Sequence, residues 1–229
     1  VLRVHFSTQR QAIIGPDLSH RRTLIDSMMR IRDIRLAIES EASEKGITIE
    51  QAEKRALAYA NEIASHLSYR AIRFFYMLLS WLWNHLYDGI DLNNIGWVKQ
   101  FAPTHEIVYI PCHRSHIDYL LLSYVLYENG LMQPHIAAGK NLNMPIIGPL
   151  LRRCGAFYMR RTFHGDPLYK AVFDEYIHQI FTRGYSMEYF IEGGRSRTGR
   201  TLNPRTGMLS MTLRSFQKNA SRPICLMPV

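Results

Sequence analysis

The residues with the clearest chemical potential lie in Pro111-Cys-His-Arg-Ser-His-Ile-Asp118, directly after an apolar run of β-forming residues. On a continuous helix, His113 and Asp118 would point roughly 140° apart. If the chain turns over residues 113–116 and a helix begins near Ile117, the two side chains can meet. A carboxylate bonded to one imidazole nitrogen fixes the tautomer and raises the basicity of the other nitrogen. The pair is therefore a candidate general base with its orienting partner, although Asp118 could also be a simple helix-start residue.

Two other interpretations of this segment are weaker. Cys112, His113 and His116 could suggest a metal site, but no fourth ligand follows at a familiar zinc spacing. Cys112 could suggest a thiol nucleophile, but neighbouring side chains on an extended strand point to opposite faces. We therefore expect no metal and a buried structural thiol.

Two further segments place arginines directly after β-forming runs. An apolar run that starts at Gly155 ends in Arg160 and Arg161, and Tyr189-Phe-Ile191 is followed by Glu192-Gly-Gly-Arg-Ser-Arg197. Guanidinium groups bind phosphate in a bidentate manner, and the exposed amides of paired glycines form an anion-binding nest. The Gly-Lys-Ser/Thr sequence of a nucleotide P-loop is absent. These segments predict a phosphate-handling site, and a solvated basic turn is the simpler alternative for each.

β-forming and helical runs alternate after residue 100. The β-forming runs are Ile107–Pro111, His135–Ala138, Ala156–Met159, Met187–Ile191 and Ile224–Pro228, and the helical runs cover about 117–129, 145–153, 167–183 and 206–218. This alternation predicts an α/β fold with a mostly parallel mixed sheet flanked by helices. Ligands of such sheets bind beyond the carboxyl ends of the strands. We expect this domain to cover residues 101–229, after an N-terminal helical region at 1–100.

The N-terminal region has helical periodicity throughout. Pro16 and Ser19 can open a first helix, whose apolar residues recur at three- and four-residue steps: Leu24, Met28, Ile31, Ile34 and Ile38. Thr48 and Gln51 have the form of a capping box at the start of the next helix. A further helix is expected from about residue 68 to Gly89.

Composition narrows the class of protein without choosing a function. The 229 residues include 28 Lys and Arg against 19 Asp and Glu, a net charge of +9, which suits anionic lipid, nucleic acid or a phosphorylated substrate. The most apolar segment, 71–87, contains Arg73 and falls short of the roughly 20 apolar residues of a spanning helix. It predicts either a core helix or a helix at a membrane surface. Three cysteines without a recurring spacing predict a reducing, cytosolic environment. Because the chain starts at Val1 and ends inside an apolar run, we expect it to be an excerpt of a longer polypeptide.

Taken together, four segments resemble the four motif blocks of the glycerolipid acyltransferases. The blocks are His113 to Asp118; Gly155, Phe157 and Arg160, with Arg161 following; Phe190, Glu192, Gly193, Arg195 and Ser196; and the proline-bounded strand from Pro223 to Pro228. Their order and their spacing match that family. Gly194 stands where relatives that use dihydroxyacetone phosphate usually have Thr, which favours the members that use glycerol 3-phosphate.

The resemblance implies transfer of a fatty acyl chain from acyl-carrier protein or acyl-CoA to the sn-1 hydroxyl of glycerol 3-phosphate, which gives lysophosphatidate in the first step of phospholipid synthesis. It implies a peripheral location on the cytoplasmic side of the cell inner membrane, and it requires no cofactor. His113 and Asp118 would be catalytic. The substrate-binding residues would be Arg160, Arg161, Glu192, Gly193, Gly194, Arg195, Ser196 and Arg197.

Two alternatives remain open at this stage. Dihydroxyacetone phosphate or lysophosphatidate could be the acceptor within the same family. A basic nucleic-acid-binding module is the alternative from another class, but no RNA-recognition motif occurs and the aromatic residues cluster in apolar runs. We therefore expect no nucleic-acid partner.

Overall fold

A computed structural model describes residues 21–115, 117–163, 165–218 and 222–229. In these ranges the α-helices are α1 (Arg21–Met29), α2 (Arg32–Lys45), α3 (Ile49–Ile63), α4 (Tyr69–Leu86), α5 (Ile95–Phe101), α6 (Asp118–Glu128), α7 (Ile147–Arg153), α8 (Pro167–Thr182) and α9 (Gly207–Lys218). The expected helix start at Pro16 and Ser19 lies outside the described residues.

Five parallel strands form the sheet. They are β1 (Glu106–Ile110), β2 (His135–Gly139), β3 (Ala156–Met159), β4 (Met187–Glu188) and β5 (Ile224–Pro228), in the spatial order β3-β2-β4-β1-β5. Each of the four strand pairs is parallel, so the carboxyl ends of all five strands meet at one edge. The α/β prediction, with flanking helices and a preceding helical region, is confirmed.

Alternate residues of β1 bury two different cores. Val108 points into the larger core, which it shares with Met187 of β4, with the N-terminal helices α1–α3 and with α8. Ile107 and Tyr109 point to the other face, where they pack with residues of α5 and α6. The sheet is therefore covered on both faces, as a parallel sheet requires. The boundary between a region at 1–100 and a domain at 101–229 stays a prediction, since the two parts share the larger core.

The capping box at the start of α3 is present as expected. The Gln51 amide donates to Thr48 Oγ1 at 3.2 Å, and the Thr48 amide donates to the Gln51 side chain at 3.1 Å. These bonds satisfy two of the amides that a helix N-terminus leaves without partners. They fix the start of the helix whose last turn carries Glu62.

Two sequence-based expectations about local structure were wrong in detail, and one helix was not expected. The first helical stripe is interrupted, because Ile31 is extended (φ −71°, ψ 138°) and separates α1 from α2. The expected strand at 187–191 is paired only over Met187–Glu188, since the chain leaves the sheet after Tyr189 donates to the Tyr109 carbonyl at 3.2 Å. The short helix α5 was not predicted from the sequence.

The apolar segment at 71–87 lies in α4. Among the described residues, no helix combines the length and the apolar character needed to cross a bilayer. One face of α4 is nonetheless strongly apolar and exposed, with Phe74, Met77, Leu78 and Trp81 each about half accessible to solvent.

Candidate active site

His113 and Asp118 meet at the carboxyl end of β1. His113 Nδ1 lies 3.2 Å from Asp118 Oδ2, and both side chains are largely buried. The contact forms because β1 ends at Ile110, the chain turns, and α6 begins at Asp118 itself. The pairing that the sequence left conditional on a turn is present, and Nε2 becomes the ring nitrogen on the opposite side from the carboxylate.

Asp118 is also the residue that closes the turn. Its Oδ2 accepts the amides of Arg114 at 2.7 Å and Ser115 at 2.8 Å. The helix-start role and the orienting role considered for Asp118 are therefore compatible. Three donors fix one carboxylate oxygen, so the imidazole faces a carboxylate that the backbone holds in place.

The segment after β4 fixes the other side of the histidine. The ring centroid of Phe190 lies 4.1 Å from that of His113, and the Ser196 amide donates to the His113 carbonyl at 2.8 Å. The first and third sequence blocks are thus in direct contact. The rotation of the imidazole is limited by Asp118 on one edge and by an aromatic ring on one face.

Glu192 is a structural element of the third block. Its side chain is buried, with Oε2 accepting the Leu202 amide at 3.1 Å and Oε1 3.5 Å from Cys112 Sγ. The carboxylate therefore ties the loop after β4 to the residue that precedes His113. Cys112 is half-buried in this contact, which agrees with the expected structural thiol.

A second carboxyl group, that of Glu188, lies behind the pair. Glu188 on β4 is fully buried beside Tyr109 of β1. Burial, together with the charge of Asp118, raises the pKa of Glu188 well above its ordinary value. The raised pKa favours the neutral acid form of Glu188 over its carboxylate.

A cavity of about 970 Å³ opens in front of His113. Its polar and charged wall includes Arg160, Arg161, Lys170, Arg205 and the backbone of Gly193 and Gly194. The apolar wall comes largely from α4 and α6 and includes Ile72, Phe75, Tyr76, Leu79, Leu120 and Tyr124. A cavity with one cationic region and one apolar region beside an oriented imidazole fits an amphipathic pair of reactants.

The two arginines after β3 differ in their surroundings. Arg160 donates to Glu62 through Nε at 2.8 Å and Nη2 at 3.0 Å, and its Nη1 lies 3.3 Å from Asp166. Its guanidinium carbon is 4.2 Å from the ring centroid of Tyr169. The Glu62 hydrogen bonds raise the pKa of Arg160. Arg161, by contrast, is exposed at the cavity and has no carboxylate partner among the described residues.

The third block is divided between the cavity and the outer surface. Gly193 and Gly194 line the cavity, whereas Arg195 and Arg197 are exposed and are not among its described lining residues. Ser196 is buried, and its backbone amide donates a hydrogen bond to the His113 carbonyl. The structure therefore brings His113, Asp118 and the two glycines together, and it places the two arginines of this block further out.

Sequence reasoning missed two residues of this region. Arg205 lines the cavity from the loop before α9, outside all four motif blocks. Glu62, near the end of α3, pairs with Arg160 across 98 residues of sequence. Periodicity gave no indication of either, because both contacts depend on how distant elements pack.

The parallel α/β sheet thus carries an oriented histidine and guanidinium groups at its carboxyl edge, and comparison with known proteins identifies the family. The chain belongs to the acyltransferase family, whose model matches residues 96–229. Over all 229 residues it is 58% identical to the glycerol-3-phosphate acyltransferase of Pseudomonas putida strain KT2440 and 59% identical to that of Pseudomonas fluorescens strain SBW25. The chain spans only 28% and 27% of the lengths of these two relatives.

Proposed function

We propose that the full protein transfers a fatty acyl group from a thioester, acyl-CoA or acyl-carrier protein, to the sn-1 hydroxyl of glycerol 3-phosphate. The observation that carries this proposal is the 3.2 Å contact between His113 Nδ1 and Asp118 Oδ2 at the mouth of a cavity with a cationic and an apolar wall. The likeness to two glycerol-3-phosphate acyltransferases supports the choice of acceptor.

In this mechanism the base is the imidazole. As the sn-1 oxygen attacks the thioester carbon, His113 Nε2 accepts the hydroxyl proton and Asp118 stabilises the resulting imidazolium. The tetrahedral intermediate then collapses, the carbon–sulfur bond breaks, and the leaving sulfur takes the proton from the imidazolium. The products are lysophosphatidate and free thiol. A thioester is already activated, so the proposal includes no covalent enzyme intermediate, metal or cofactor.

The phosphate of the acceptor is assigned to the cationic wall. Arg161 is assigned to the phosphate because it is exposed at the cavity. The Gly194 amide can also approach an anion closely, whereas the Gly193 amide donates to the Phe190 carbonyl. Arg160 is already paired with Glu62 and Asp166, which favours a role in shaping the wall. Arg195 and Arg197, which lie outside the described cavity wall, are assigned to first contacts with anionic substrates as they approach.

We further propose that the protein works peripherally on the cytoplasmic side of the inner membrane. The exposed apolar face of α4 supports contact with lipid, and Arg70 and Arg73 on the same face suit anionic headgroups. The opposite face of this helix contributes Ile72 and Phe75 to the cavity wall. Because α4 would face lipid on one side and form the apolar cavity wall on the other, the acyl chain of the product would lie close to the bilayer.

The test is acyl transfer by the full-length protein in membranes. Labelled glycerol 3-phosphate and palmitoyl-CoA should give labelled lysophosphatidate, and His113→Ala should lower kcat by about 10²- to 10⁴-fold. His105→Ala, which changes a histidine absent from the described cavity wall, is the matched control and should retain activity. Near-normal turnover in His113→Ala would rule out the mechanism. Faster transfer to dihydroxyacetone phosphate than to glycerol 3-phosphate would show that the proposed acceptor is wrong.

A further inference from the structure

Two cationic side chains of the cavity wall, Lys170 and Arg205, lie outside the four motif blocks, and of these only Lys170 is paired with a carboxylate among the described residues. We propose that Arg205, in the loop before α9, binds the phosphate monoester of the acceptor and so determines specificity for a phosphorylated alcohol. This inference rests on the proposed function and extends it, because it assigns one of the two phosphate-binding guanidinium groups to a residue outside the four motif blocks.

Arg205 is held at the cavity by its backbone and by its stem. Its amide donates to the Ile191 carbonyl at 2.7 Å, which links the loop before α9 to the end of the β4 segment. Its Cδ lies where a side chain at Gly193 would begin, 2.6 Å from the Cβ position of that residue. Gly193 also has φ +61°, a conformation that favours glycine. The glycine is therefore the residue that lets the Arg205 stem cross this turn.

The charges on the cavity wall leave two cations without a carboxylate. Arg160 is paired with Glu62 and Asp166, and Lys170 is paired with Asp174 at 2.7 Å. Among the described residues, the other two guanidinium groups of the wall, Arg161 and Arg205, have no carboxylate partner, and no Asp or Glu lines the cavity. Unpaired positive charge thus faces the cavity from two separate loops.

Two guanidinium groups on one wall match a phosphate monoester, which is close to a dianion at neutral pH. Each guanidinium can supply a bidentate, charge-assisted pair of hydrogen bonds. The same chemistry is present in the phosphates of coenzyme A, so the donor is the other possible source of the ligand. Because Arg205 contacts Gly193 and His113 contacts Phe190 of the same segment, the proposal commits to the acceptor.

The experiment separates the charge of Arg205 from its stem in the full-length protein. Arg205→Met keeps an unbranched stem over Gly193 and removes the charge, whereas Arg205→Lys keeps the charge and loses the planar fork. Arg214→Met, an exposed arginine on α9 outside the cavity wall, is the matched control. For each variant, KM for glycerol 3-phosphate, KM for palmitoyl-CoA, kcat and the inhibition constant of inorganic phosphate are measured.

We expect Arg205→Met to raise KM for glycerol 3-phosphate by about 10- to 100-fold, with kcat changed less than about threefold. The inhibition constant of phosphate should rise in parallel, Arg205→Lys should recover part of the loss, and Arg214→Met should match the wild type. An unchanged acceptor KM, or an increase confined to the palmitoyl-CoA KM, overturns the assignment while the acyltransferase proposal stands. A wild-type protein that transfers no acyl group overturns both. A loss in Arg205→Met without a parallel rise in the inhibition constant of phosphate would indicate a packing role and also overturns it.

Discussion

The geometry around Asp118 explains how one carboxylate serves both the fold and the proposed chemistry. Its Oδ2 accepts the Arg114 and Ser115 amides and also faces His113 Nδ1. The backbone bonds fix the position of the oxygen, so the imidazole does not have to order a mobile partner when it becomes charged. At the residue scale, the His-x-x-x-x-Asp spacing therefore encodes a turn that is closed by the same carboxylate that faces the imidazole.

This double role predicts that two substitutions of Asp118 will differ. The amide oxygen of Asp118→Asn can still accept the Arg114 and Ser115 amides, but it lacks the charge that stabilises an imidazolium. We expect kcat to fall roughly 100-fold or more, with the stability of the protein nearly unchanged. Asp118→Ala should cause a similar loss of kcat and also cost about 1–3 kcal/mol in the free energy of unfolding. Steady-state kinetics together with thermal unfolding of both variants would check this, and equal stability of the two would contradict the proposed double role.

Helix α4 shows at the element scale how one amphipathic segment can serve two environments. Leu79 and Trp83 are buried against Tyr124 of α6, while Phe74 and Trp81 are exposed on the opposite face. From the sequence alone, a core helix and a membrane-surface helix were alternatives for this segment. Because an 18-residue helix has two faces, the structure supports a core contact on one of them and leaves an exposed apolar surface on the other.

The exposed face of α4 predicts a measurable contribution to lipid binding. The double variant Phe74→Gln/Trp81→Gln removes two large side chains that each contribute about 1–2 kcal/mol when they enter the interface. We expect at least a tenfold weaker partition of the full-length protein onto vesicles that contain phosphatidylglycerol, measured by sedimentation. The matched control is Leu36→Gln/Leu57→Gln, which changes two exposed leucines on α2 and α3. If both double variants weakened vesicle binding equally, the exposed face of α4 would have no specific role in lipid binding.

Local patterns predicted the elements well, but they did not predict where the elements end. The Thr48–Gln51 capping box is local, involves neighbouring residues only, and is present as expected. The early end of β4 depends on the turn in which the Gly193 amide donates to the Phe190 carbonyl, so a continuous apolar run misrepresents it. The break at Ile31 is likewise invisible to periodicity, because Ile34 and Ile38 continue the buried face on the other side of it.

At the scale of the whole molecule, the N-terminal helices take part in building the site. Glu62 of α3 holds Arg160 beyond β3, and Lys140 after β2 joins the same carboxylate at 3.0 Å. Tyr59 of α3 adds a hydrogen bond from its hydroxyl to Asp166 at 2.8 Å. The sequence indicated the helices and the arginine separately, but a pairing across 98 residues cannot be inferred from local spacing. For this reason the sequence alone could not show that Arg160 is paired with carboxylates while Arg161 is exposed at the cavity.

This interaction predicts a pH-dependent link between α3 and the sheet. Burial alone would raise the pKa of Glu62, but hydrogen bonds and charges from Arg160 and Lys140 outweigh it and lower the pKa below its ordinary value of 4.5. A carboxyl group with a lowered folded-state pKa stabilises the fold above its unfolded pKa, and that contribution is lost as the pH falls below it. Glu62→Gln should therefore reduce the opening free energy of α3 by about 1–2 kcal/mol at pH 7.

Hydrogen exchange of α3 amides in the full-length protein at pH 7 and pH 4 measures that difference. The gap between wild type and Glu62→Gln should narrow at pH 4, because Glu62 is then partly protonated in the open state and its advantage in the closed state declines. Glu53→Gln, on the same helix, breaks an exposed pair with Arg35 and should change the opening free energy by less than about 1 kcal/mol. A gap that is the same at both pH values would show that Glu62 acts through packing, and the cavity wall would then owe its shape to the aromatic contacts of Arg160 with Tyr59 and Tyr169.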